Sequence, residues 1–196
     1  MTDIYLVGVG GQGIITASKL IGDAAVVAGK QVLLSETHGM AQRGGSVVCT
    51  ARIGDVSSPL VPDGQADVIL SLELLETLRA LPKASGKTLV IASTERMVPL
   101  SVSTQKLKYP SEEEVRSRFA GVAKAFVAVD ARGIAEAAGA PMSSNVVMVG
   151  VLAGSGTTGL RREDFEAALK RNISRRIDEN LKAFAKGFES GTKHRA

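Results

Sequence analysis

The stretch Ile4-Tyr5-Leu6-Val7-Gly8-Val9-Gly10-Gly11-Gln12-Gly13-Ile14-Ile15-Thr16-Ala17 decides how the chain begins. Ile4 to Val9 is a short apolar run that ends in glycines. Ile14 to Ala28 then carries apolar residues at helical spacing (Ile14, Ala17, Leu20, Ile21, Ala24, Ala25) before Gly29 closes it. The pattern reads as strand, tight turn, helix. Gln31 to Ser35 follows as a second apolar strand, at the separation a right-handed parallel crossover requires, so the chain is predicted to open with a βαβ unit.

Further along, strands and helices keep alternating. Ser46 to Ile53 alternates, with Val47, Cys49, Ala51 and Ile53 on one face, as a half-buried strand does. Gly54 and Asp55 suggest a turn into Val56 to Val61, which Pro59 and Pro62 restrict to an edge strand or an extended loop. Ala66 to Ser71, Thr88 to Ala92 and Ala125 to Val129 read as buried strands. Leu72 to Leu81 reads as a helix stopped by Pro82, and Glu112 to Phe119 as a helix capped by Ser111 with Glu114 three residues on. Asn145 to Ala153 is buried, but its periodicity does not choose between helix and strand. Glu163 to Ser190 supplies two helices with Phe165, Leu169, Ile173, Ile177, Leu181, Phe184 and Phe188 inward. The expected architecture is one α/β domain over residues 1–196. It is three-layered and Rossmann-like, with a mostly parallel sheet and an antiparallel excursion near residues 46–61.

Composition narrows the function classes. With 4% aromatic residues and no Trp, the chain lacks the stacking platforms of single-strand nucleic-acid binders, so no nucleic-acid partner is expected. The net charge of +4 resides entirely in Arg161 to Ala196, where ten Lys or Arg face six Asp or Glu. Solvated faces of terminal helices account for it; the sharper alternative is an acidic partner. Cys49 is the single cysteine, which excludes a disulfide framework, a thiolate zinc site and a cluster needing four thiolates from this chain alone. No apolar run reaches membrane-spanning length and no cationic leader precedes the first strand, which points to a cytoplasmic protein without a membrane partner.

Two glycine-rich segments carry the functional reading. Gly8, Gly10, Gly11, Gln12 and Gly13 hold the G-x-G-x-x-G spacing between a strand and a helix, where glycines admit a close ligand and helix-start N–H groups favour a phosphate. Glu36, near the end of the second strand, occupies roughly the place of an acid that grips a ribose in NAD sites. The plainer alternative is that these glycines only allow a sharp turn and close packing. The second segment, Glu36-Thr37-His38-Gly39-Met40-Ala41-Gln42-Arg43-Gly44-Gly45, concentrates functional side chains in one short connection. Arg43 offers a guanidinium fork to a carboxylate or phosphate, Gln42 can donate and accept, and His38 can orient or shuttle a proton. Each also has a structural reading, as a satisfied histidine or an interface ion pair.

Taken together, Gly8 to Gly13 and Glu36 to Val47 closely resemble the gamma subunit or domain of the 2-oxoacid:ferredoxin oxidoreductases, and within it the small-subunit branch of the indolepyruvate enzymes. The likeness continues in order through Arg52-Ile53-Gly54, Ser58-Pro59-Leu60-Val61-Pro62, Ala66-Asp67-Val68, Leu74-Leu75-Glu76 and Asn145-Val146-Val147-Met148-Val149-Gly150. The resemblance implies an accessory subunit, inactive alone, of an enzyme that oxidatively decarboxylates a 2-oxo acid to an acyl-CoA and passes electrons to ferredoxin. Thiamine diphosphate with Mg2+ and the iron–sulfur clusters would then lie on a large partner subunit, with CoA as co-substrate. It further implies that Gly10 to Gly13 and Gly39 to Gly45, including Met40, Gln42 and Arg43, face that partner or the CoA. His38 and Arg43 are the candidates for a part in catalysis. The competing readings are a free-standing NAD- or flavin-binding protein and a scaffold that uses its glycines for packing.

Overall fold

A computed structural model describes residues 1–38, 44–97 and 109–195. Six strands form one sheet: Thr2–Val9 (β1), Val32–His38 (β2), Ser46–Ile53 (β3), Val68–Ser71 (β4), Leu89–Ser93 (β5) and Ala125–Val129 (β6). Their order is β2-β3-β1-β4-β5-β6, and β3 alone runs against the other five. The helices among the described residues are Ile14–Val27 (α1), Leu74–Arg79 (α2), Glu112–Phe119 (α3), Ala131–Ala137 (α4), Ser144–Ser155 (α5), Arg162–Asn172 (α6) and Ile177–Thr192 (α7).

Two apolar clusters, one on each face of the sheet, make three layers. Ile4, Leu6, Cys49, Ala51, Val68, Leu70 and Ile91 point to the side covered by α1 and α4 to α7. Val7, Ile69, Val90 and Ala92 point to the side covered by α2 and α3, where Leu74, Val115 and Phe119 meet them. Strand alternation separates the two sets, since successive side chains leave a strand on opposite faces.

The sheet departs from the expected opening in one respect. β1 and β2 are parallel, as a βαβ unit requires, but β3 lies between them and pairs along its length with both. The run of pairs from Val32↔Ile53 to His38↔Val47 also lengthens β2 beyond Ser35, so Glu36 sits inside a strand opposite Cys49. Val56 to Val61 is not a strand. Its carbonyls are held by side chains instead: Arg52 Nη1 donates to Ser58 O at 2.9 Å and Leu60 O at 3.1 Å, Thr50 Oγ1 to Pro59 O at 2.6 Å, and Lys83 Nζ to Val61 O at 2.9 Å.

The segment Asn145 to Ala153 resolves as helix. α5 is buried on every side, which is why its periodicity carried no direction. It crosses α7 at backbone contact distance through Gly150 and Gly154 on one helix and Gly187 and Gly191 on the other.

Candidate functional site

The strand-to-helix turn after β1 is built by its own glycines and by Gln12. Gln12 N donates to Val9 O at 3.0 Å to close the turn. Its side chain then folds back: Gln12 Oε1 accepts from Val9 N at 2.8 Å, and Gln12 Nε2 donates to Leu72 O at 2.9 Å, bridging the ends of β1 and β4. Gly8 packs where a Cβ would lie 2.8 Å from the Ile14 side chain, so helix α1 sits close on the strand. Gly13, at φ 79°, adopts the left-handed conformation that starts α1, a region where other residues pay a steric cost. Asn145 at the head of α5 completes the turn, its Nδ2 donating to Gly13 O at 3.2 Å.

The second glycine segment arrives beside the first. Gly10 N donates to Gly45 O at 2.9 Å, and Gly44 N approaches Gly10 O at 3.5 Å, extending the β1–β3 ladder by one step past Val9↔Ser46. The glycines that the sequence marks out separately therefore form one surface at the carboxyl end of β1. His38 ends β2 beside Val47. Gly39, Met40, Gln42 and Arg43, with the His38 side chain, lie outside the described residues.

The surface suits an anion. No acidic residue stands in the first turn of α1 and no side chain caps it, so its leading N–H groups keep their positive dipole end. A cleft of about 320 Å³ lies over this turn, lined by Val9, Gly10, Gly11, Gly13, Ile14 and Val47. A second cleft, of about 250 Å³, lies on the Leu72 side, between Gln12, Glu95, Met97 and Met142. A larger cavity, about 540 Å³, lies elsewhere, over the β2–β3 face opposite α1. Its cations are already engaged, Arg52 by Asp3 at 2.8 Å and Lys83 by Asp63 at 2.7 Å, so the glycine surface is the better candidate.

The same geometry does not support the dinucleotide reading. A ribose-gripping acid belongs on the strand next to β1, but β3 holds that place and puts Glu36 two strand spacings away, roughly 10 Å.

Over residues 3–190 the sequence matches the model of the pyruvate ferredoxin/flavodoxin oxidoreductase family. The chain belongs to this family. An indolepyruvate oxidoreductase subunit IorB of Archaeoglobus fulgidus is 44% identical over 95% of this chain and 93% of the relative. A second IorB, from Methanothermobacter thermautotrophicus, is 43% identical over 95% of each. Among solved structures, the pyruvate oxidoreductase subunit PORC of Thermotoga maritima superposes with a TM-score of 0.73 at 23% identity, over 96% of this chain and 95% of that one. A 2-oxoglutarate:ferredoxin oxidoreductase of Magnetococcus marinus matches 98% of this chain but 31% of its own, with a TM-score of 0.72 and 19% identity. The same fold thus occurs in a separate subunit and as part of a longer chain.

In this member of the family the glycine surface rests on groups that composition and periodicity do not single out. Glu73 and Glu76 are both almost wholly buried at the start of α2. Glu73 caps the helix by accepting from Glu76 N at 2.9 Å, and its other oxygen accepts from Met97 N at 3.1 Å and from the Tyr109 hydroxyl. Burial raises the Glu73 pKa above the usual carboxylate value, against the lowering effect of the backbone N–H groups it accepts from. Glu76 accepts from Ser46 Oγ at 2.6 Å and from Arg79 Nη1 at 2.7 Å. Asn145 and Glu76 fall within the family-like strings quoted above, but nothing in the strings tells that one holds Gly13 and the other Ser46. Cys49 is fully buried, and burial, with Glu36 nearby, pushes its thiol up to about 12, so it stays protonated at neutral pH.

No helix among the described residues is long and apolar enough to cross a membrane.

Proposed function

We propose that this chain is the small, gamma-type subunit of a thiamine-diphosphate-dependent 2-oxoacid:ferredoxin oxidoreductase acting on an aryl 2-oxo acid of the indolepyruvate type. The observation that carries the reading is the joining of its two glycine segments at Gly10 and Gly45, beside an α1 N-terminus free of acidic residues. Indolepyruvate is favoured because two relatives named for it are 44% and 43% identical, against 26% for a 2-oxoglutarate synthase subunit KorC of Archaeoglobus fulgidus.

In the overall reaction the C1–C2 bond of the 2-oxo acid breaks and CO2 leaves. The acyl carbon forms a thioester with CoA, two electrons pass singly to two ferredoxins, and one proton is released. Thiamine diphosphate with Mg2+ supplies the stabilised carbanion chemistry, and the iron–sulfur clusters supply the electron path; both belong to a large partner subunit. A single, buried cysteine cannot ligate a cluster. What this chain contributes is one wall of the CoA cavity. The backbone N–H groups of Gly11, Gly13 and the start of α1 receive phosphate charge, those of Gly10 and Gln12 being held by Gly45 O and Val9 O. The surface at Gly11 and Gly44, where a Cβ would meet no described atom within 4 Å, admits a close approach, and Arg43 pairs with a carboxylate or phosphate.

The test is to purify the chain anaerobically with its large subunit and follow viologen reduction with indolepyruvate, pyruvate or 2-oxoglutarate in the presence of CoA. Turnover preferring indolepyruvate is expected, and Arg43→Ala should lower it by about tenfold or more while the complex still assembles. Recovery of the chain without a thiamine-bearing partner would overturn the assignment, and full activity of Arg43→Ala would overturn the role of Arg43.

A further inference from the structure

Among the described residues, the junction between the glycine segments adds few bonds of its own to the end of the β1–β3 ladder. Gly45 receives one backbone bond from Gly10, and the approach of Gly44 N to Gly10 O, at 3.5 Å, is long for a hydrogen bond. Immediately after Gly45, however, Ser46 is anchored by its side chain. Ser46 Oγ donates to Glu76 Oε2 at 2.6 Å, the short distance expected when the acceptor is charged. Glu76 is 2% exposed and its other oxygen is engaged by Arg79, which is itself 55% exposed. Burying an acid is costly unless its oxygens are bonded, and here Ser46 takes one and Arg79 the other. What it holds is Ser46, the first residue of β3 and the neighbour of Gly45.

We infer that Glu76 is a positioning residue that, through Ser46, keeps Gly44 and Gly45 against Gly10 and thereby sets the wall offered to CoA. The inference rests on the function proposed above. Its geometry is directional. The two bonds from Ser46 and Arg79 reach different oxygens of one carboxylate, so they can be cut independently, and only the first leads toward the glycines. Arg79 is a control for the charge and stability of the buried acid without a path to the site.

The experiment has two readouts. In the isolated full chain, amide hydrogen exchange at Gly10 followed by NMR should accelerate by about fivefold in Ser46→Ala, as expected for loss of a hydrogen bond near 1 kcal/mol, and by less in Glu76→Gln, whose amide oxygen can still accept from Ser46. Ser46→Thr, which keeps the hydroxyl, should restore the wild-type rate, and Arg79→Ala should stay within about twofold of it. In the assembled complex, Ser46→Ala should raise KM for CoA by about threefold to tenfold with little change in kcat. Unchanged Gly10 exchange in Ser46→Ala would overturn the inference, and so would an equal response to Arg79→Ala. If Glu76→Gln fails to fold, the two serine variants still decide. A complex that does not turn over any 2-oxo acid, with Gly10 exchange still responding as expected, would overturn the functional reading and leave the positioning link standing.

Discussion

Where α5 crosses α7, a Cβ added to Gly150 would lie 2.3 Å from the Phe184 carbonyl oxygen, and one added to Gly187 would lie 2.2 Å from that of Val147. At the carboxyl end of β1, a Cβ added to Gly11 or Gly44 would meet no described atom within 4 Å. Both regions are dense in glycine, and the chemistry that demands it is different. In the first, the side chain is absent because two helix backbones occupy its volume, as small residues at a spacing of four allow. In the second, no described residue fills the volume, so a demand for glycine there comes from backbone conformation or from whatever approaches the surface. A glycine count does not separate the two cases; the neighbour of the missing Cβ does.

The packing half of this comparison predicts the largest effect. Gly154→Val places a β-branched side chain where even a Cβ would be 2.1 Å from Phe188 O, and should destabilise the chain by about 3 kcal/mol or more in urea unfolding. Gly154→Ala should cost about 2 kcal/mol. Because the Gly154 position also meets Gly191 Cα at 3.0 Å, the double variant with Gly191→Ala should deviate from additivity. Once the helices have been forced apart, the second methyl costs less than the first. A cost below about 0.5 kcal/mol for Gly154→Ala would show that the crossing is looser than the backbone distances imply.

The contrast also marks how far sequence reasoning reaches. The strand at Ala125 to Val129 and the capped helix from Glu112 were legible with their ends, because a short apolar run and a capping box are local signals, although β6 is an edge strand buried at Val127 and Val129 and not throughout. The alternation of Ser46 to Ile53 announced β3, but not its insertion between β1 and β2. That placement is a long-range pairing with no periodic signature, and it is what displaces Glu36 from the first glycine turn. Helix α2 was expected from Leu72 but begins at Leu74, because Glu73 turns its carboxylate onto Glu76 N and becomes the cap. Helix α4 was not anticipated, although Asp130 caps it through Gly133 N and its alanines suit a helix. The glycine segments were each visible. Their meeting at Gly10 and Gly45, and the buried acids behind them, follow from tertiary packing.

Gln12 lies between the two halves of the comparison, since it belongs to the glycine turn yet its side chain is consumed by structure. Both of its amide atoms bond to backbone, at Val9 N and Leu72 O. Gln12→Leu keeps much of the volume and removes both bonds, and should cost about 2 kcal/mol of stability through two unmatched backbone groups. Gln12→Glu keeps the acceptor for Val9 N but turns an oxygen toward Leu72 O, so it should not rescue. If both variants are as stable as wild type while the assembled complex loses CoA affinity, Gln12 is a ligand residue and not the bridge between β1 and β4.

The smallest effect on stability belongs to Gly44, and it separates conformation from access. At φ 78°, Gly44→Ala meets no described atom within 4 Å but must hold a left-handed backbone, which should cost about 1 kcal/mol in the isolated chain. Gly44→Asn should cost less, because asparagine tolerates that region better than alanine. If conformation is all that matters, activity of the assembled complex will follow the same order, with Asn closer to wild type. If a partner backbone or CoA approaches this position, the order reverses: the larger asparagine side chain obstructs the approach and the complex loses more activity with Asn than with Ala, although Asn is the more stable chain. The crossed ranking of stability and activity is the outcome expected here. Parallel rankings would mean that the open space beside Gly44 is not used, and that its glycine serves only the turn into β3.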